Sequence, residues 1–226
     1  MNGLDLAQRA RETELLDDGL LAPEEARRSL ADLRLVNRLP GGRGRLFRTV
    51  RPFLEGTDRP RLLDVGCGSG DVPAFIARAF QGRLTAVGVD LKPLHLEEAP
   101  DGVLRVAGDA RRLPFLPRSF DVVTASLFLH HFDPPEVAPL LRSLYALAGR
   151  ALVVSDLQRA RAFYLFGRAF FPLMFRSPVS VQDGLLSIRR AFTAAELVAA
   201  FAEAGIQARV RRAFPYRLLA IAERPA

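Results

Sequence analysis

From Arg61 onward the chain alternates short apolar runs with segments in which apolar residues recur at helical spacing. The runs RLLDV, LTAVGVD, VLRVAGD, FDVVTAS and ALVVSD are rich in β-branched residues, and each ends on a polar residue or a turn. Continuous apolar runs of this length suit strands buried on both faces of a parallel sheet. Between the first two, Val72, Phe75, Ile76 and Phe80 follow helical spacing. PPEVAPLLRSLYALAG reads as mostly helix, with Pro139 implying a late start or a kink. TAAELVAAFAEAG opens on a capping box, Thr193 with Glu196, and stops at Gly205. The tail IQARVRRAFPYRLLAIAE reads as two further strands turning near Pro215. This alternation predicts an α/β fold, a doubly wound and mostly parallel seven-stranded sheet with ligands bound outside the carboxyl ends of its strands.

The first sixty residues follow a different rhythm. PEEARRSLADLRLVNRL places Ala26, Leu30, Leu33 and Leu35 near one face of a helix that starts at Pro23. GGRG, at Gly41 to Gly44, breaks it, and RLFRTVRPFLEG forms another helix ending before Gly56. Residues 1–58 are therefore expected to form a helical extension packing on the core and active site. Residues 59–226 would form the main domain, with an insertion at about 157–190.

Composition narrows the class. A chain of 226 residues with 49% hydrophobic content is a globular domain with room for a sizeable core. Cys67 is the single cysteine, which excludes an internal disulfide and fits a reducing cytoplasm. The charged first residues lack the apolar stretch of a secretory leader, and no uncharged apolar run reaches membrane-spanning length. The net charge of +7 comes almost wholly from dispersed arginine, Lys92 being the one lysine. Dispersion fits coding drift better than a polyanion-binding face, so no specific nucleic acid is expected.

The chemistry concentrates at LLDVGCGSGD. Gly66, Gly68 and Gly70 supply a turn at a strand's carboxyl end that lets ligand atoms approach main-chain N–H groups. The stretch lacks the lysine and Ser/Thr of a phosphate-gripping loop and carries Asp64 just before the turn. Asp64 is awkward for a pyrophosphate and helpful for an ammonium group. Asp90, ending the next strand, is placed for a ribose diol. Together they suggest a nucleoside bearing a cationic amino-acid tail.

These residues resemble class I S-adenosylmethionine-dependent methyltransferases. LLDVGCGSGDVP is similar to their first motif and AVGVDL to their second, and AGDARRLPFLPRSFDVVTASLFLHHF resembles the third and fourth run together. The resemblance implies a Rossmann-like methyltransferase fold and S-adenosyl-L-methionine as cofactor. It implies that Asp64 and the loop Gly66, Cys67, Gly68 and Gly70 hold the methionine end, with Cys67 a small filler. Asp90 would take the ribose hydroxyls, Leu91 would lie against adenine, and Asp109 and Ala110 would meet the adenine edge. Ser126 would sit near the sulfonium. One departure is LAGRALVV, where many relatives carry LKPGG before the fifth strand.

His130 and His131 follow the fourth strand, and Asp156 ends the fifth. Similar small-molecule O-methyltransferases use His-His and an Asp here around an acceptor hydroxyl. The resemblance thus makes His131 the base, Asp156 its orienting group and His130 secondary. An imidazole of pKa about 6.5 facing a phenol of about 10 gains basicity from such an aspartate. His95 is expected at the surface. No metal-ligand cluster is visible and no metal is expected.

The segment from Gln158 to Pro178 is crowded with aromatics. Phe163, Phe166, Phe170 and Phe171 are the candidate lid over the acceptor. Lid, interfacial membrane helix and core or homodimer packing all stay open for it. The function expected is methyl transfer to a hydroxyl or activated carbon of an apolar, aromatic small molecule. An RNA or protein methyltransferase, or a non-catalytic cofactor-binding regulator, is the rival.

Overall fold

A computed structural model describes residues 6–18 and 21–225, so the first five residues of the leader reading lie outside the described residues. Seven strands form one sheet in the order β3-β2-β1-β4-β5-β7-β6. They are β1 (Arg61–Val65), β2 (Thr85–Asp90), β3 (Val103–Ala107), β4 (Phe120–Ser126), β5 (Ala148–Leu157), β6 (Arg209–Ala213) and β7 (Arg217–Glu223). The first five pair in parallel, whereas β7 runs antiparallel to both β5 and β6. The turn from β6 to β7 passes through a cis Phe214–Pro215 bond.

The apolar runs of the sequence are apolar on both sides because both faces are covered. Leu63, Val65, Val123, Leu152 and Val154 face one layer of core, built with α6 (Pro134–Leu147) and α9 (Ala194–Glu203). Their alternate neighbours Leu62, Val122, Ala151 and Val153 face the other, built with α3 (Arg43–Leu54) and α4 (Asp71–Ala79). Leu46, Val50 and Leu54 of α3 are fully enclosed there, so a helix N-terminal to the sheet closes one of its faces.

Two helix readings need correction. On α2 (Pro23–Arg38) Ala26 and Leu30 are buried as expected, but Leu33 and Leu35 are exposed. The inward positions go to Ser29 and Asp32, which bind the start of α8 (Pro178–Arg190). Asp32 accepts the N–H groups of Arg176 and Ser177, and Ser180 donates to Ser29. Helix α6 starts at Pro134 without delay, held by an Asp133–Glu136 capping box, with Pro139 inside it. The Thr193–Glu196 capping box forms as the sequence predicts. The remaining elements are α1 (Leu15–Asp18), α5 (Pro93–Glu97) and α7 (Arg161–Met174).

Candidate active site

The strand order creates the crevice. The chain leaves β1 toward β2 and β3 and returns on the other side as β4, so the loops after β1 and β4 part at this point. Gly66, Gly68 and Gly70 adopt φ of 68, 54 and 64°, values that L side chains rarely tolerate. At Gly66 a second constraint applies, since a Cβ would stand 2.0 Å from the Phe128 ring of the loop after β4. At Gly68 the same direction is open apart from a Leu30 methyl at 4.0 Å. The main chain is therefore approachable at the middle glycine.

Asp64 is buried, and its carboxylate accepts the Thr124 hydroxyl at 2.6 Å. Burial pushes its pKa up to about 7, the Thr124 bond opposes the rise, and Asp71 and Asp90 add to it. Cys67 lies inside the loop, and a Cβ on Gly88 would reach within 2.8 Å of its sulfur. Asp90 accepts the Gly68 N–H at 2.8 Å on one oxygen and the Lys92 N–H at 3.0 Å on the other, where His95 Nδ1 also lies at 3.0 Å. His95 is thus buried rather than superficial, because it serves the strand-end carboxylate.

Leu91, next after Asp90 at the end of β2, is an apolar side chain with 62% of its surface exposed. Asp109 accepts the Arg111 N–H at 2.9 Å and is gripped by the Arg111 guanidinium, which holds its carboxyl below the usual range. It shapes its own turn while staying partly exposed, and Ala110 behind it is buried. Ser126 closes β4 opposite Ser155, and Leu127 follows with a strained φ of 54°.

The second half of the site sits at the carboxyl ends of β4 and β5. His130 Nδ1 lies 2.7 Å from Asp156, which also accepts the His130 main-chain N–H at 3.1 Å. Asp156 thus grips His130 rather than His131, because one carboxylate spans the backbone and ring of the same residue. Burial would raise the Asp156 pKa, but His130 and the Leu157 N–H bring it below the ordinary value. Arg217 of β7 is buried near Asp156, and burial lowers its pKa to about 10.

His131 pairs instead with Asp17 at 2.6 Å, while Glu14 stands 3.6 Å from His130 Nε2 and accepts the Ser187 hydroxyl. Burial works against the charged His131 ring, yet Glu14, Asp17 and Asp156 outweigh it and push its pKa up to about 9. These two acids come from the N-terminal segment, which arginines tie over the histidine turn. Arg9 donates to the carbonyls of His130 and Phe132, and Arg190 to those of His130 and His131 and to the segment's own Arg11 and Glu12. Arg159 reaches Leu6 and pairs with Glu196. Glu14, Asp17, Arg190 and Arg217 escape a sequence reading, since nothing in their spacing links them to the distant strand-end residues they meet.

Glu14, His130 and His131 also bring one ligand-type atom each within 4.8 Å of one another. This amends the expectation that no such cluster exists. The same three groups are already engaged with Ser187, Asp156 and Asp17. In the candidate lid, Phe163 and Phe171 pack inward with α8, whereas Phe166 and Phe170 stack on each other on the exposed side. Those two rings therefore stay outside the cluster that Phe163 and Phe171 join.

The glycine loop, the acid-ended β2 and the sheet order define the class, and residues 62–149 match the model of the methyltransferase domain family. These residues are thus similar to a methyltransferase domain, and a solved S-adenosylmethionine-dependent methyltransferase of Aquifex aeolicus shares the fold at 15% identity, with a TM-score of 0.58 over 78% of this chain and 88% of that one. The chain is 36% identical over 87 residues to a demethylmenaquinone methyltransferase of Chlorobaculum tepidum, covering 37% of this chain and 35% of that one. It is 39% identical over 135 residues to a ribosomal protein L11 methyltransferase of Azotobacter vinelandii, covering 56% and 44%. The chain thus spans less than half the length of either relative. A solved plantazolicin methyltransferase has the same fold at 13% identity, with a TM-score of 0.69 over 88% of this chain and 91% of that one.

Proposed function

We propose that the protein transfers a methyl group from S-adenosylmethionine to a hydroxyl, or an activated ring carbon, of an apolar aromatic small molecule. The observation that carries this reading is the pair of histidines, each tied to its own carboxylate, at the strand ends beside the glycine loop. When bound, the cofactor supplies a methyl group already electrophilic at its sulfonium. The Gly68 main chain and Asp64 would hold its amino-acid end, Asp90 its ribose and Leu91 its base, with Ser126 near the sulfur. What the chain must add is alignment of the acceptor and a place for its proton. His131 is the proposed receiver, with Asp17 setting its basicity and the His130–Asp156 pair holding the turn. A relative named for demethylmenaquinone supports an apolar quinol-like acceptor.

A second reading, methylation of a protein side chain, is favoured by the relative named for ribosomal protein L11. A radiolabelled methyl-donor assay against phenols, quinols, ribosomal protein and total RNA separates the readings. Label entering an organic extract supports the small-molecule reading, and label retained only on protein or RNA overturns it. For the cofactor, Asp90→Ala should weaken S-adenosylhomocysteine binding by more than about tenfold, the loss of charge-assisted hydrogen bonds. Calorimetry reads this directly, and unchanged affinity would place the nucleoside elsewhere.

A further inference from the structure

Helix α7 is apolar on both of its long faces, yet only one of them is covered. Phe163, Tyr164, Phe171 and Met174 pack with α8 and the end of β5. Gly167 permits the close approach, since a Cβ there would meet the Phe171 ring at 2.9 Å and Leu185 at 3.1 Å. The opposite face presents Leu165, Phe166, Phe170 and Leu173, exposed at 48, 46, 50 and 82%, with Ala162 and Ala169 between them. A helix apolar all round is expected to be enclosed, so this outer stripe lacks its partner.

Charge indicates which partner. No acidic residue occurs between Asp156 and Asp183, whereas Arg161, Arg168 and Arg176 lie exposed along or just beyond the helix. None of the three side chains has a carboxylate partner among the described residues. A two-fold contact between copies would bring these guanidiniums together with no acid on the segment to pair them. A small acceptor would sit at the strand ends, on the inner side of the helix. An apolar stripe edged by unpaired arginines instead matches a bilayer interface carrying anionic headgroups.

We propose that the outer face of α7 docks the protein on anionic lipid membranes, with Phe166, Phe170, Leu165 and Leu173 entering the interface and Arg161 and Arg168 meeting headgroups. Because α7 follows directly from β5, docking sets the edge bearing Asp156 close to the bilayer. That consequence matters for an apolar acceptor and rests on the methyl-transfer reading, whereas membrane binding itself does not.

The test is flotation with vesicles of phosphatidylglycerol and phosphatidylcholine in equal parts, against phosphatidylcholine alone, without cofactor or acceptor. The wild type should float with the anionic vesicles at least about tenfold more than with neutral ones, and added salt should release it. Phe166→Ser with Phe170→Ser, and separately Arg161→Gln with Arg168→Gln, should abolish flotation while keeping the wild-type melting temperature and S-adenosylhomocysteine affinity. Failure of the wild type to float, or equal flotation of both double variants, would overturn the proposal. So would a wild-type dimer in sedimentation that the Phe166/Phe170 variant converts to monomer, since the face would then be a subunit seam. None of these outcomes depends on turnover, so methyl transfer and membrane docking can fail separately.

Discussion

Burial disfavours a charged His131, but Glu14, Asp17 and Asp156 keep the proton on up to about pH 9. A ring that must receive the acceptor's proton works only when neutral, so kcat/KM should rise with pH up to about 9 and then level. Asp17→Asn removes the hydrogen-bonded acid and should move that rise toward the ordinary imidazole value of about 6.5. A wild-type profile already flat above neutrality would show that another group accepts the proton. The stability sign follows from the same shift. A folded pKa raised from 6.5 contributes stability present in full below 6.5, and that stability is lost as pH rises through about 9. Sequence alone gives the histidines and Asp156 but pairs them wrongly. Hydrogen bonds from one carboxylate to both the backbone and the ring of His130 have no sequence signature.

The inward side of α2 is polar where it meets the next helix pair. Asp32 takes the main-chain N–H groups of Arg176 and Ser177, which would otherwise stay unpaired at the entry to α8. Asp32→Ala should cost about 1–2 kcal/mol in urea unfolding, whereas Leu35→Ala, on the exposed side, should stay within about 0.5 kcal/mol. The hydrophobic pattern suggests the reverse ranking. Periodicity locates helices well because apolar residues usually face the core, and it misassigns the buried face when a helix's task is to cap another helix. The same limit applies to α7, where apolar residues fill both faces and the period cannot say which side is covered.

Across the whole molecule, the parallel strands and their helices are legible because each β-run is enclosed on both faces and reads as continuous apolar sequence. The reversal of β7 is less visible, since direction depends on a short turn rather than on composition. The N-terminal part divides by function. Residues 6–18 bring charged groups to the histidine turn, while α3 seals a face of the sheet. Removing residues 1–18 should leave a folded protein that binds S-adenosylhomocysteine but loses turnover by about 10²-fold or more, the scale of a general-base contribution. Removing residues 1–54 should expose the enclosed face of β1, β4 and β5 and yield an insoluble chain. Circular dichroism and calorimetry on the two truncations distinguish these outcomes, and a soluble, ligand-binding product of the longer deletion would contradict the role given to α3.

The glycine loop holds the chain's single thiol, enclosed against Gly88, and burial with Asp64 and Asp90 nearby drives its ionisation far above the ordinary range. A reagent that attacks thiolate therefore has one target in this chain, and that target becomes reactive only when the loop lifts away from β2. The labelling rate of Cys67 in the native protein is then a clock for loop opening. If opening is fast relative to labelling, that rate reports the fraction of time the loop spends open. A nucleoside seated on the loop should slow the clock by the factor with which it favours the closed form, giving an affinity measurement that requires no knowledge of the acceptor.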